Sequence, residues 1–248
     1  MELPLVTSDV CLICGGSVEY PEDREYFRCV ACETLRTKYS YNKNLYRHSY
    51  AVTYEQYAAT DVNTPLNLFR VGLVSRWLKQ GNRILDIGCG VGEFIRFAEQ
   101  YYTCVGFEPN QAAALRARKK VASKIVSRLN LKTISIAEFN CVTMFDVIEH
   151  LENPLEFLRA IQSIYLVANG IVAFTTPNVD AVARWDDERL RQWKHYKPKE
   201  HLFLYPEAGL NILCEKAGLT PIHWGCEESD IRPGNPNDDI LTCVARKV

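Results

Sequence analysis

Neither sign of charge is in excess: 29 Lys and Arg face 30 Asp and Glu, leaving a net charge of −1 over 248 residues. That balance argues against a broad nucleic-acid footprint, which needs a basic face to meet phosphates. Residues 1–10 carry no secretory pattern, so a reducing cytoplasm is the expected compartment. There is no internal repeat and no low-complexity tract. Charge is absent over residues 161–179, a run near membrane-spanning length. Gln162, Asn169, Gly170, Pro177 and Asn178 break that run. It reads as the end of a helix, a turn at Asn169-Gly170 and a buried strand, and no membrane span is expected. Apolar content of 47% and charged content of 24% are those of an ordinary globular chain. The length suits one sizeable domain plus a small one.

Cysteine is plentiful, with ten in the chain. Cys89, Cys104, Cys141, Cys214, Cys226 and Cys243 are scattered, mostly in apolar runs, and read as buried free thiols. The other four are Cys11, Cys14, Cys29 and Cys32, two Cys-x-x-Cys pairs in "CLICGGSVEYPEDREYFRCVAC". Four thiolates in a tetrahedron are the usual ligands of structural Zn²⁺, and a two-residue gap lets both sulfurs of a turn reach one ion. Gly15 and Gly16 supply the knuckle, and "SVEY" and "REYFRC" read as short strands around Pro21. A unit of this size buries too little apolar surface to fold alone, so the metal would supply its folding energy. The alternative is a pair of disulfides. A closed four-thiolate site has no open position for substrate, so the chemistry is sought downstream.

Three segments follow from this reading: a zinc ribbon at 1–38, a tyrosine-rich helical cap or linker at 39–80, and a catalytic domain at 81–248. In the second, Leu66, Phe69, Leu73, Trp77 and Leu78 recur at helical spacing, with Gly81-Asn82 as the stop. Beyond it strands and helices alternate. "RILDIG", "CVGFE", "CVTMFDV" and "GIVAFTT" read as strands, and "TPIHWGC" and "ILTCVARK" as a final antiparallel pair. Such alternation predicts an α/β fold with a mostly parallel sheet.

In "ILDIGCGVGEF", Asp86, Gly88, Gly90 and Gly92 lie at a strand-to-helix turn, where the backbone can approach a ligand closely. A dinucleotide fingerprint would place its third glycine at position 93, which is Glu. A loop preceded by an acid suits a ligand carrying an amine. Glu108, in "GFEPN", ends the next strand, where a carboxylate can take two ribose hydroxyls.

With these motifs the chain resembles the class I S-adenosylmethionine-dependent methyltransferases from about residue 83 onward. The resemblance implies a Rossmann-like fold with a seven-stranded sheet. It implies that Asp86 and the loop of Gly88, Cys89, Gly90 and Gly92 hold the methionine portion of the cofactor, that Glu108 and Pro109 meet the ribose, and that Phe145 and Asp146 complete the site. The loop at 128–130 would flank the adenine, without the acid often seen there. "MFDVIEHLENP", "FTTPN" and "KEHLFLYPEAGLNILCEKAGL" resemble the subgroup of ubiquinone-biosynthesis O-methyltransferases and of natural-product and sugar methyltransferases. A four-cysteine N-terminal ribbon also occurs among sugar methyltransferases.

The sulfonium is already activated, so an enzyme must orient a nucleophile and, for a hydroxyl, remove its proton. His150 is the first candidate base and His201 the second. In the ubiquinone subgroup E-x-x-E-H can bind a divalent metal, and Asp146, Glu149 and His150 stand in its place here. The insertion at 184–198 should cover the substrate mouth, its Trp185, Trp193 and Tyr196 either stacking on a ring or packing a surface helix. The expected acceptor is the O or N of a small molecule such as a sugar, a glycolipid precursor or a natural-product intermediate. Rival readings are an RNA-base methyltransferase, disfavoured by the acidic ribbon loop "EYPEDRE", and a non-catalytic cofactor-binding adaptor. The sequence leaves the oligomeric state open, a dimer included.

Overall fold

The computed structural model describes residues 9–20, 25–41, 60, 62–129, 138–182, 187–232 and 238–248. The cysteine-bearing segment opens with three short strands, β1 (Val18–Glu19), β2 (Tyr26–Cys29) and β3 (Leu35–Thr37). After α1 (Asn63–Ser75) the alternation expected from the sequence follows: β4 (Arg83–Ile87), α2 (Glu93–Ala98), β5 (Thr103–Phe107), α3 (Gln111–Lys120), β6 (Lys124–Val126) and β7 (Phe139–Phe145). Next come α4 (Pro154–Ile164), β8 (Leu166–Pro177), α5 (Asp187–Gln192), β9 (Phe203–Leu204), α6 (Glu207–Lys216), β10 (Leu219–Gly225), α7 (Glu228–Ile231) and β11 (Ile240–Lys247).

Seven strands form one sheet in the order β10-β11-β8-β7-β4-β5-β6. Only β11 runs antiparallel to its neighbours. This is the mostly parallel, Rossmann-like sheet the sequence predicted. The chain steps from β4 outward through β5 to β6, then returns to β7 on the other side of β4. The crevice at the carboxyl ends of β4 and β7 is therefore the topological switch point, where ligands bind in such sheets.

Side-chain caps set the starts of two helices. The Asn110 side chain accepts from the Ala112 and Ala113 amides at the start of α3. Asn153 caps α4 at the Glu156 amide, with Pro154 in its first turn. Two details depart from expectation. α1 stops at Ser75 instead of running to Gly81, because the Arg76 and Trp77 amides turn back to Leu73 and Val74 three residues earlier. β8 starts before Asn169-Gly170, which forms a bulge within the strand and not a turn ahead of it. Asn169 takes φ 59°, and the register against β7 jumps from Phe139–Leu166 to Cys141–Ile171.

The second sheet decides how the N-terminal segment sits. Its order is β1-β2-β3-β9, so its last strand comes from the far half of the chain. Leu35 pairs with Leu204 and Arg36 with Phe203. Cys11, Ile13, Cys29 and Cys32 belong to the same buried apolar cluster as Leu85, Met144, Leu158 and Leu210 around the main sheet. The cysteine ribbon is thus joined to the α/β unit through both backbone pairing and core. No helix among the described residues is long and apolar enough to cross a membrane.

Candidate functional site

β4 ends in Asp86 and Ile87, and the chain then turns so tightly that the Gly88 and Cys89 amides both donate to the Phe107 carbonyl, at 2.8 and 3.1 Å. Gly88 has φ 73°, and a Cβ there would lie 2.6 Å from the Val147 side chain, so only glycine fits. The Gly90 amide donates to Glu108 Oε2 at 2.9 Å, and the Asn110 amide to Oε1 at 2.8 Å. Glu108, 3% exposed, therefore braces the loop at the end of β5. Burial raises its pKa, and the Asn110 and Gly90 amides offset this in part. Asp86 is buried beside Thr143, whose hydroxyl donates to Oδ1 at 2.7 Å. Burial pushes Asp86 up to about 7, against the pull of Thr143 and Arg70.

Two cavities flank this loop and share Gly88 and Asp146. One, of about 120 Å³, is bounded by Asp86, Cys89, Gly90, Arg70 and Phe145. The other, of about 250 Å³, is bounded by Glu108, Pro109, Val147, His150, Phe157 and Tyr41. Of the residues the resemblance assigned to the cofactor, Asp86, Gly88, Cys89, Gly90, Glu108, Pro109, Phe145 and Asp146 line one or both. Gly92 lies just beyond, entering α2 with φ 85°. Asn130 lies outside the described residues, as do Trp185 and the stretch 42–59.

Asp146, at the end of β7, has φ 58° and is clamped by two guanidiniums. Arg232 reaches its two oxygens at 2.9 and 2.8 Å, and Arg70 reaches Oδ2 at 3.2 Å. Burial would raise the Asp146 carboxyl, but Arg232 and Arg70 outweigh it and hold it below the usual carboxylate range. Glu228, fully buried on α7, takes Arg70 in a fork at 2.6 and 3.1 Å and also bonds Arg232. Sequence reasoning missed Arg70, Glu228 and Arg232. The available signal was Arg70 itself, a cation on the helical stripe that otherwise buries Leu66 and Leu73.

After β7 a single 3-10 turn, Ile148–His150, brings Glu149 and His150 to face His201. One donor atom from each of these three lies within 4.8 Å of the others, and the two imidazoles meet edge-on at 4.9 Å. The expected divalent-metal set of Asp146, Glu149 and His150 is not what assembles: Asp146 is drawn off by its two arginines, and His201 stands in its place. His150 Nδ1 lies 2.8 Å from the Glu200 carbonyl and His201 Nδ1 2.8 Å from the His195 carbonyl. A carbonyl only accepts, so each Nδ1 carries the proton and each Nε2 keeps its lone pair. Burial lowers both histidine pKa values, further for His201, which also faces His150. Burial raises Glu149 to about 8, helped by the charge on Asp146.

A family profile described as a methyltransferase domain matches residues 65–223. The chain belongs to this family. The methyltransferase is 28% identical over 172 residues to the ubiquinone biosynthesis O-methyltransferase of Ruegeria sp. (strain TM1040), across 60% of this chain and 69% of that one. Its fold is also that of solved methyltransferases. One is the 1,6-didemethyltoxoflavin-N1-methyltransferase of Burkholderia thailandensis, solved with 1,6-didemethyltoxoflavin and S-adenosylhomocysteine bound. The two superpose with a TM-score of 0.60 at 12% identity, over 93% of this chain and 99% of that one. An S-adenosylmethionine-dependent methyltransferase from Archaeoglobus fulgidus gives 0.60 at 19% identity, over 80% and 100%. The family makes the protein a methyltransferase, and its fold is one solved in S-adenosylmethionine-dependent methyltransferases.

The methyltransferase's four front cysteines gather into one cluster, every sulfur within 4.8 Å of the others. All are free thiols, so the disulfide alternative is not what the fold builds. The nearest sulfurs are Cys14–Cys29 at 3.3 Å and Cys11–Cys32 at 3.7 Å. The Ile13, Gly16 and Cys32 amides point at Cys11, Cys14 and Cys29 sulfurs. The Cys32 thiol and nearby amides hold Cys11 down to about 5 against burial. Amide-cradled sulfurs with one already inclined to ionise fit a soft tetrahedral cation.

In the insertion of the methyltransferase, Trp193 and Tyr196 pack and do not line either cavity. Trp193, 7% exposed, bonds Asp239 through its ring nitrogen and joins Tyr26, Leu35, Val182 and Leu204 in an apolar cluster. Tyr196 meets Tyr26 edge-on at 5.1 Å.

Proposed function

We propose that the protein transfers the methyl group of S-adenosylmethionine to the oxygen or nitrogen of a small-molecule acceptor, such as a sugar, a glycolipid precursor or a natural-product intermediate. The observation that carries this reading is the placement of His150. It lines the larger cavity together with Glu108 and Pro109, with the proton on Nδ1 and a lone pair on Nε2. In this reading Glu108 takes the ribose hydroxyls, Asp86 faces the methionine ammonium and Arg70 its carboxylate. His150 receives the acceptor's proton, and Glu149 and His201 form the buried surroundings that accommodate it. The relatives' names favour O-transfer first. The four cysteines hold a structural Zn²⁺ that takes no part in methyl transfer.

Replacing His150 with Gln should lower turnover roughly 10²- to 10⁴-fold, the range of a lost general base, while calorimetry finds S-adenosylhomocysteine bound about as before. The acceptor class is tested by incubating the protein with methyl-labelled S-adenosylmethionine and host extract. Label in the small-molecule or lipid-soluble fraction supports the proposal, and nuclease-sensitive label in the macromolecular fraction overturns it.

Asp86 gives the site a pH dependence. Its folded pKa of about 7 lies above the ordinary 3.8. The free protein therefore keeps a proton that the unfolded chain releases, and loses stability as pH rises through that window. An ammonium placed beside Asp86 expels the proton. Cofactor affinity should thus rise with pH up to about 7, with roughly tenfold weaker binding one unit below it. Asp86→Asn should flatten that profile between pH 5.5 and 7.5. A wild-type profile already flat in that range would remove Asp86 from contact with the ammonium.

A further inference from the structure

We propose that Tyr26, in the cysteine ribbon, is a positioning residue for the histidine pair of the active site. This rests on the reading of His150 as the base. Residues 198–202 have their backbone held alternately from two sides. From the ribbon, Thr37 Oγ1 donates to the Pro198 carbonyl at 2.7 Å, the Tyr26 hydroxyl to the His201 carbonyl at 2.9 Å, and the Thr37 amide to the Leu202 carbonyl at 2.9 Å. From the turn carrying the base, His150 Nδ1 donates to the Glu200 carbonyl at 2.8 Å, while the Glu149 carbonyl accepts from the Leu202 amide at 2.7 Å. Residues 198–202, held on both sides, therefore link ribbon and base directly, next to the β3–β9 pairing at 203–204, and His201 is among them.

Within that connection Tyr26 has a distinct place. It is 3% exposed, and its hydroxyl would be costly to bury without a partner. A phenylalanine would fill the same apolar cluster with Trp193 and Leu204, so the hydroxyl adds direction to the packing. Its partner is the carbonyl of the residue whose ring meets His150 at 4.9 Å. Rotating the 201 peptide would swing the His201 ring and, through the neighbouring Glu200 carbonyl, release His150 Nδ1. The ribbon thus forms part of the active-site wall, and Tyr26 is where it acts on the chemistry.

Tyr26→Phe tests this in the metal-loaded protein. Long-range ¹H–¹⁵N spectra of the imidazoles need no acceptor. They should show the His201 and His150 signals shifted and that of His223 unmoved. Bound metal and affinity for S-adenosylhomocysteine should stay at wild-type levels. Labelling of the small-molecule fraction of extract should fall roughly ten- to a hundredfold in kcat, as expected for a slightly misplaced group, with KM for S-adenosylmethionine unchanged. Unshifted His201 and His150 signals, or shifted signals with full turnover, would overturn the proposal. Should Tyr26→Phe fold poorly, Thr37→Val, which removes the Pro198 contact but keeps the amide, should shift the same two imidazoles, and unshifted signals there count equally against it. Full turnover in His150→Gln would instead sink the base reading. Lost turnover there beside an unaffected Tyr26→Phe would sink only the role of Tyr26.

Discussion

Glu108→Ala will weaken cofactor binding by roughly a hundredfold or more, because hydrogen bonds to an ionised group contribute about 1.5–3 kcal/mol each and two ribose hydroxyls are at stake. The two oxygens of Glu108 already accept the Gly90 and Asn110 amides. A carboxylate has lone pairs for both sets of partners, so those bonds orient the acid without using up its capacity. On the proposed reading the variant loses the ribose contact, and it also loses the brace that holds Gly90. Glu108→Gln separates these effects. One oxygen survives to brace the loop, and the loss should be intermediate. Calorimetry with S-adenosylhomocysteine reads both. Wild-type affinity in Glu108→Ala would place the ribose elsewhere.

Cys29→Ser should remove bound zinc and melt the ribbon, leaving a poorly soluble protein. Structural zinc contributes about 10–16 kcal/mol of apparent binding energy in small cysteine sites, which rivals the stability of a whole domain. Cys29 is the last residue of β2, and its neighbours Cys11 and Cys32 belong to the core that covers the main sheet. The damage should therefore spread into the α/β unit as a lowered thermal midpoint. Metal analysis by plasma spectrometry should find one zinc per wild-type chain and none in the variant. A Cys29→Ser protein that stays folded without metal would show that the thiol packing alone suffices.

Much of this molecule was legible in its sequence, for physical reasons that also mark where legibility stops. The switch-point loop could be read because the glycines at 88 and 90 serve the geometry of the turn itself and the acids at 86 and 108 end the two strands beside it, although the partners Thr143 and Gly90 that orient those acids come from elsewhere in the chain. The same holds for α4, where Asn153 and Pro154 announce the start. Arg70, Glu228 and Arg232 could not be found that way. Each is set by a partner on a distant element, and no short pattern carries the pairing. β9 escaped for the same reason. "FL" at 203–204 is too short to read as a strand until the edge of β3 is beside it. Asp146 shows a subtler failure: the resemblance to the ubiquinone subgroup suggested ligation together with Glu149 and His150, while two remote arginines claim it.

The pairing of β3 with β9 also has a consequence for how the chain is made. Tyr26 and His201 are 175 residues apart in sequence. At the 5–20 residues per second of protein synthesis, roughly ten to thirty-five seconds separate their appearance. The segment with the four cysteines emerges early but lacks the strand that closes its sheet until most of the catalytic unit has followed. During that interval β3 presents an open edge of the kind that invites wrong partners. A metal ion captured early would hold the thiols together over a surface still waiting for its last strand, and assembly of the histidine cluster would coincide with the arrival of that strand.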